Sequence, residues 1–360
     1  MVRALKRIKA LKKAAFSDGG YDAYLILNST NLLYFLGFPG TSALLVPANG
    51  ECTVYVYGVN YEQAKAEGKG FSVQLVNGDE NLMGKTAAQA KSCGVRRLAV
   101  DTLGVESWQK LVKEFPSEKA VEVNSDFVQS LRMVKDEEEV QLMRRAAELT
   151  SEGMKAALEA VKPGVKEYEV AAEIEYAMRK QGAGSTAFES SVASGAPSAF
   201  PHGGCSDRAI RDGDLVVVDI GSTYRFYCSD MTRTFAAGKP SQKQLKIFEA
   251  VKQAQEKAFE AVRAGVKAAD VDGVARGVIS DAGYGSYFVH GLGHGVGLEV
   301  HEAPTLNRFS KETLQAGMVV TDEPGVYIVG YGGVRIEDTV LVQKSGAEKL
   351  TIGLYSLSAE

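Results

Sequence analysis

Three of the chain's four histidines stand in one glycine-studded run, His290-Gly-Leu-Gly-His294-Gly-Val-Gly-Leu-Glu-Val-His301, and the fourth is His202. Histidine binds metal ions and moves protons near neutral pH. A chain that gathers its whole supply in one stretch is building a site. The glycines fit that reading, because a residue without Cβ lets backbone approach a bound group closely. Carboxylates flank the run. Asp219 ends the apolar run Gly213-Asp-Leu-Val-Val-Val-Asp219, and Asp230 lies inside Phe226-Tyr-Cys-Ser-Asp230-Met-Thr-Arg-Thr-Phe235. Asp322 and Glu323 follow Val319-Val-Thr, and Glu337 and Asp338 follow Gly333-Val-Arg335-Ile. If the hairpin joining the first two runs centres between Tyr224 and Arg225, Asp219 and Asp230 oppose each other with Cβ atoms roughly 4.5–5.5 Å apart. An ionised carboxylate in such apolar sequence is strongly penalised unless it meets a partner or a metal. Arg335 is one partner, but one arginine does not balance four or five acids.

Carboxylate oxygens with one imidazole suit divalent ions such as Mn²⁺, Co²⁺, Zn²⁺ or Fe²⁺. Four carboxylates and one histidine are too anionic for a single ion in a partly buried cleft. Two ions roughly 3.5–4 Å apart, with a water whose pKa they lower, fit that charge better. The other histidines are then left to donate protons or polarise a carbonyl. Two other chemistries fail. There is no G-x-S-x-G elbow for a serine hydrolase. The Gly291-Leu-Gly293-His-Gly295 loop lacks the strand-then-helix setting of a nucleotide site.

The elements that must position these groups fall into two regions. Residues 21–126 alternate short apolar runs (23–27, 43–46, 52–56, 72–76, 97–100) with helical segments (62–67, 81–93), which predicts an α/β domain. A long helix over residues 136–161 opens with acidic residues and stops at Lys162-Pro-Gly164. A second helix covers 166–181. Strands at 215–220 and 226–235, helices at 241–263 and 268–282, and strands at 318–321, 325–328 and 334–342 follow. One internal repeat is visible: Val161-Lys-Pro-Gly-Val-Lys-Glu-Tyr-Glu-Val170 is echoed by Val262-Arg-Ala-Gly-Val-Lys-Ala-Ala-Asp-Val271. Its spacing predicts a duplicated half-domain rather than a solenoid, whose repeats run roughly 20–50 residues. A cleft between the two halves is a natural place for the site.

Composition narrows the rest. A net charge of -4 in 360 residues offers no basic excess for nucleic acid. No apolar run reaches the roughly 18 residues a membrane span needs. The basic start, residues 1–13, reads as an amphipathic first helix packed on its own domain. The four cysteines show no C-x-x-C pair, so they read as reduced thiols of a cytoplasmic protein.

The ordered set of motifs resembles the pita-bread metallopeptidases, closest to the proline dipeptidases. It comprises Pro201-His202-Gly203, Val218-Asp219-Ile220-Gly221, Ser229-Asp230-Met231-Thr232-Arg233-Thr234, the histidine run ending His301-Glu302, Glu323-Pro324-Gly325 and Gly333-Val-Arg335-Ile-Glu337-Asp338. Upstream, Asn31-Leu-Leu-Tyr34-Phe-Leu-Gly37-Phe is similar to the creatinase-type N-terminal domain, and Leu131-Arg132-Met-Val-Lys135 to the family's junction. The resemblance implies a creatinase-type α/β domain over 1–131 and an α+β pita-bread catalytic domain over 132–360 with a pseudo-two-fold repeat. It implies hydrolysis of Xaa-Pro dipeptides with release of proline, by a homodimer holding two divalent ions per subunit, Mn²⁺ or Co²⁺ ahead of Zn²⁺ or Fe²⁺. Asp219, Asp230, His294, Glu323 and Glu337 become the metal ligands, with Asp230 and Glu337 bridging. His290 and His301 would contact the scissile amide and stabilise the developing oxyanion, and Glu323 would carry the proton. His202 and Arg335 would border the substrate, Arg335 also orienting a bridging carboxylate. Arg308, in a stretch that could swing over the cleft, is expected to capture the proline carboxylate. Asp322 departs from the family's usual small or apolar residue there, and an extra acid could alter metal preference or the proton affinity of Glu323. The alternatives are an Xaa-Pro aminopeptidase acting on longer peptides and a non-catalytic peptide-binding relative, the latter disfavoured because all five ligand positions are filled.

Overall fold

A computed structural model describes residues 2–357. The chain divides into two compact units, Met1–Arg132 and Met133–Glu360.

The first unit is built on a six-stranded sheet. Its strands run Ser72–Val76, Thr53–Tyr57, Ala43–Pro47, Ala23–Ile26, Leu98–Val100 and Val121–Val123 across the sheet. Both flanks pair in parallel, while Ala23–Ile26, Ala43–Pro47 and Thr53–Tyr57 form an antiparallel meander. The central strands are buried throughout, so their sequences read as apolar runs rather than alternating ones. The first helix, Val2–Lys12, buries Ile8 and Leu11 and sets the Arg7 guanidinium 3.7 Å over the ring of Tyr34. Helices Ser29–Leu36, Val105–Val112 and Asp126–Met133 escaped the sequence reading, because each has eight residues and too few turns to show a period.

In the second unit the repeat becomes physical. The first half pairs helices Glu137–Ala160 and Glu167–Lys180 with strands ordered Ser191–Ser194, Leu215–Ile220, Met231–Ala236. The second half pairs helices Gln242–Ala261 and Ala268–Asp281 with strands Gly293–Gly295, Val319–Asp322, Asp338–Val342 in the corresponding order. Asp219 sits near the end of one middle strand and Glu323 just beyond the other. Asp230 and Glu337 each immediately precede a third strand.

Two expectations need correction here. The runs 226–235 and 334–342 are not single strands. Tyr227–Cys228 belongs to one sheet and Met231–Ala236 to another, with Asp230 in the break; likewise Gly332–Arg335 and Asp338–Val342 are separated at Glu337. Crossing between sheets interrupts the ladder and leaves those two acids out of regular pairing. Gly221 permits the first crossing, since a Cβ there would lie 2.3 Å from the carbonyl oxygen of Ser229. The hairpin register also differs from the expected one. Its turn is Arg225–Phe226, with Tyr224 paired to Tyr227, so Asp219 opposes Thr232 rather than Asp230. The tight turn, one residue further along than expected, moves the opposing position by two. That keeps the acids on one face but makes them diagonal.

Arg225 and Phe226 have φ of 46° and 74°. Two-residue hairpins favour positive φ at both central residues, where Asn-Gly is preferred and side chains such as these are strained. Replacing the pair with Arg225→Asn and Phe226→Gly is expected to raise stability by about 1 kcal/mol. Urea unfolding tests this, and a lower midpoint at unchanged slope would refute the turn assignment.

Candidate metal centre

The glycines around His294 have a steric reason. Its strand, Gly293–Gly295, is flanked by Glu302–Leu306 and Val319–Asp322. A Cβ on Gly293 would lie 2.2 Å from the carbonyl oxygen of Thr321, and one on Gly295 would lie 2.2 Å from that of Ala303. With both glycines in place the Thr321 hydroxyl receives the His294 N–H at 3.0 Å and donates to Glu323 Oε1 at 3.0 Å. His294 Nδ1 lies 3.1 Å from the Gly295 carbonyl, which fixes its proton there and turns Nε2 toward the acids.

Nε2 of His294 is 3.2 Å from Glu323 Oε1 and 3.7 Å from Asp230 Oδ2. One donor atom each from Asp230, His294 and Glu337 fall within 4.8 Å of one another. Glu337 is fixed from both ends, its N–H bonded to the Thr232 carbonyl at 3.0 Å and its Oε2 receiving the Thr232 hydroxyl at 2.5 Å. Arg335, 3% exposed, spends its fork on Asp219 Oδ2 (2.5 Å), Thr232 Oγ1 (3.0 Å) and the Tyr327 hydroxyl (2.8 Å). That hydroxyl lies 2.9 Å from His290 Nε2, while His290 Nδ1 lies 2.7 Å from the Gly291 carbonyl. Because Arg335 already donates to the Tyr327 oxygen, the Tyr327 proton points at His290.

The charges show what the cluster is suited to hold. Burial pushes the Asp230 carboxyl well above its usual range, and the nearby charge of Asp219 adds to it. Burial does the same to Glu337, with Asp230 and Glu323 reinforcing it. Burial lowers His294, but bonding to Glu323 and the charges of Glu323 and Asp230 prevail and hold it up at about 9. Glu323, which burial alone would raise, is pulled down to about 2 by that same histidine. Asp219 Oδ1 and Asp230 Oδ1 are buried without a hydrogen-bond partner. Oxygen-rich donors, unused buried lone pairs and uncompensated negative charge together fit divalent cations. To ligate, His294 must release the proton that its acid neighbours hold.

A cleft of about 710 Å³ opens over these groups, lined by Asp219, Asp230, His294, Glu323, Arg335 and Glu337 together with His202, His290 and His301. Ten residues were singled out from sequence as site groups, and the fold brings nine to this cleft. The tenth, Arg308, is an exception. It is exposed, lies 4.8 Å over the ring of Phe309, and does not line the cleft; Asn307 does. Alternation along the irregular segment after Leu306 turns one neighbour inward and the other out. His301 stands edge-on to His294, with centroids 4.2 Å apart. Asp322 faces away from the ligands. It is fully buried opposite Asp338 in the ladder, neither oxygen is bonded, and burial pushes it well above the carboxylate range.

Tyr327 and Thr232 were missed by sequence reasoning. Tyr327 was legible in principle. In the hairpin Gly325–Ile328 with Gly332–Arg335, Gly325 opposes Arg335, so Tyr327 shares the face of Arg335. Gly325 is small for a reason: a Cβ there would lie 2.5 Å from the Tyr327 hydroxyl.

Residues 141–344 match metallopeptidase family M24, and residues 7–134 match the creatinase/prolidase N-terminal domain. An Xaa-Pro dipeptidase of Pyrococcus furiosus is 40% identical, the alignment covering 96% of this chain and 97% of that one. The solved Xaa-Pro dipeptidase of Bacillus anthracis superposes with a TM-score of 0.93 at 37% identity, over 99% of both chains. An X-Pro aminopeptidase of Thermotoga maritima superposes at 0.85, with 35% identity over 94% of this chain and 97% of that one.

Because Asp230 is held above its usual range, its contribution to metal-free stability is present at acid pH and lost as pH rises through the folded value. Metal-free Asp230→Asn is therefore expected to unfold no earlier than metal-free wild type at pH 7, and with a flatter pH profile. Mn²⁺ should raise the melting temperature of wild type but much less that of the variant. Thermal melts in chelator and in Mn²⁺ from pH 5 to 8 check this; an equal Mn²⁺ shift in both proteins would remove Asp230 from the centre.

Proposed function

This chain belongs to metallopeptidase family M24, and on that premise we propose that it is an Xaa-Pro dipeptidase working with two divalent ions. The observation that carries the reading is the convergence of Asp230, His294 and Glu337 within the cleft, with unused oxygens on Asp219 and Asp230 beside them. The relatives named as Xaa-Pro dipeptidases support the substrate class. In this reading Asp219, Asp230, His294, Glu323 and Glu337 would hold the ions, with Asp230 and Glu337 serving both. Mn²⁺ or Co²⁺ is the first choice, since hard oxygen donors outnumber the single imidazole.

When bound, the ions supply Lewis acidity and lower the pKa of the attacking water. The residues do the rest. Proline has no amide N–H, so its nitrogen must acquire a proton before it can leave as an amine. Glu323, aimed by the Thr321 hydroxyl, takes a proton from water and delivers it to that nitrogen. His301, exposed in the cleft beside His294, donates to the developing oxyanion. With Nδ1 on the Gly291 carbonyl and Nε2 on the Tyr327 hydroxyl, His290 borders the scissile amide through its ring and steers Tyr327. Arg335 orients Asp219 and opposes the rise that burial imposes on its carboxyl, and His202 borders the substrate.

We also place the protein in the cytoplasm as a homodimer. The four cysteines are free thiols, which suits a reducing compartment. All the cleft-lining residues come from Met133–Glu360, which leaves the N-terminal unit for subunit pairing. No described helix is long and apolar enough to cross a membrane. Light scattering at micromolar concentration tests the dimer, and an active monomer would exclude it.

The likeness to an X-Pro aminopeptidase favours one second reading, action on longer peptides. A closed dipeptide pocket reads a free amine and a free carboxylate together, so Leu-Pro is expected to exceed Leu-Pro-Gly and Leu-Pro amide in kcat/KM. Equal efficiency on all three would assign the chain to aminopeptidase action instead. His301→Ala is expected to lower kcat by on the order of 10²–10³, the range for losing an oxyanion donor, at unchanged metal content. Loss of metal in that variant would make His301 a ligand.

A further inference from the structure

Residues 288–292 carry His290 into the cleft without belonging to any strand or helix. A segment with no ladder is oriented by side chains that reach it. Here those side chains come from one helix, Ala268–Asp281. Asp272 is fully buried and its Oδ1 receives the Leu292 N–H at 3.0 Å. One turn on, Arg276 clasps both oxygens of Asp272, Nε to Oδ2 at 3.0 Å and Nη2 to Oδ1 at 2.8 Å. The guanidinium also donates to the Phe288 carbonyl at 3.0 Å and to the His290 carbonyl at 2.8 Å. Its plane lies 4.2 Å over the Phe288 ring, which meets the His290 ring edge-on at 5.2 Å. The backbone is thus gripped at 288, 290 and 292, and the His290 ring is braced from the side. A planar five-donor fork can make all these bonds at once; an ammonium cannot.

The other half of the repeat does the same job with different residues. In helix Glu167–Lys180, buried Glu167 receives the N–H groups of Ser194 (2.8 Å) and Ser206 (3.0 Å) and both their hydroxyls. Those bonds tie down both ends of the segment that carries His202. In each half an acid on the corresponding helix fixes a histidine-bearing loop.

We propose that Asp272 and Arg276 are a positioning pair for His290, acting on turnover through that histidine and not through the metal ligands or the stability of the fold. The kinetic consequence rests on the dipeptidase reading, whereas the effect on His290 does not.

Two measurements test it. With four histidines in the chain, selective ¹⁵N labelling gives a small, assignable set of imidazole signals in the metal-free protein. Wild-type His290 is expected as one neutral form with its proton on Nδ1, held between the Gly291 carbonyl and the Tyr327 hydroxyl. Arg276→Ala should turn that into a mixture of tautomers, leave His301 unchanged, and be partly reversed in Arg276→Lys. Second, Arg276→Ala should lower kcat on Leu-Pro by about 10–100-fold, the scale of a displacement near 1 Å, with wild-type metal content. In a His290→Ala background the same change should cost less than about 2-fold, because non-additivity marks residues acting as a unit. Should Arg276→Ala fail to fold, Arg276→Gln and Asp272→Asn carry the same expectations. An unaltered His290 spectrum, or an equal loss with and without His290, would overturn the proposal. A wild type inert on Leu-Pro would sink the dipeptidase reading while the imidazole spectra still decided this one.

Discussion

Too many carboxylates share one buried space, and the rest of the catalytic unit is organised around that repulsion. Asp219, Asp230, Glu323 and Glu337 face one another, offset chiefly by Arg335 and a protonatable His294. Burial multiplies the cost, because like charges repel more strongly where water is excluded. A fold that satisfied itself would have buried apolar groups here. This one holds the acids apart with Thr232, Thr321 and Arg335 and leaves oxygens unused. Binding a cation would offset the cost of bringing these acids together.

The repeat explains how a chain can deliver such a cluster at all. Each half presents a three-strand set in corresponding order, and each contributes one acid near the end of a middle strand and one at the break before a third. Two copies facing across a pseudo-two-fold therefore supply four carboxylates symmetrically, and the histidine run breaks the symmetry. Behind Glu337 the fold spends compensation freely. Arg233, 1% exposed, donates to the Glu337 carbonyl at 2.6 Å and to Asp338 at 2.8 Å. Asp338 also receives Gln255, Thr351 and Tyr355 and lies 3.3 Å from Lys349. That acid, although buried, is held below its usual range by Arg233 and Lys349. Two neighbouring residues, Glu337 and Asp338, thus have opposite fates. The break before the third strand leaves Glu337 in the cleft, while Asp338, the first residue of that strand, sits in a cationic nest.

Asp322 and Glu323 repeat the contrast with the signs changed. Glu323 faces the cleft and is ionised by His294. Asp322 faces the interior across from Asp338 without a bond to either oxygen. The charge of Glu323 nonetheless adds to the rise that burial imposes on Asp322. Asp322 closes its strand and Glu323 lies just beyond it, one side chain in the interior and the other in the cleft.

Residue type and order determined the chemistry. The crowding of histidines beside glycines, and acids set into apolar runs, announced a metal centre without any coordinates, because such groups are intolerable in those contexts unless something compensates them. The α/β character of the first unit was legible too, since its central strands are buried on both faces and so are apolar throughout. Tertiary structure alone decided matters that depend on a single-residue register. The turn at Arg225–Phe226 made Asp219 and Asp230 diagonal, and sheet crossings placed Asp230 and Glu337 in breaks within what read as continuous strands. Asn307 lines the cleft and Arg308 does not. The Asp272–Arg276 clasp was invisible for a related reason. A charged pair one turn apart on a helix reads as surface decoration, and only packing revealed that Asp272 is buried and that its partner grips the loop carrying His290.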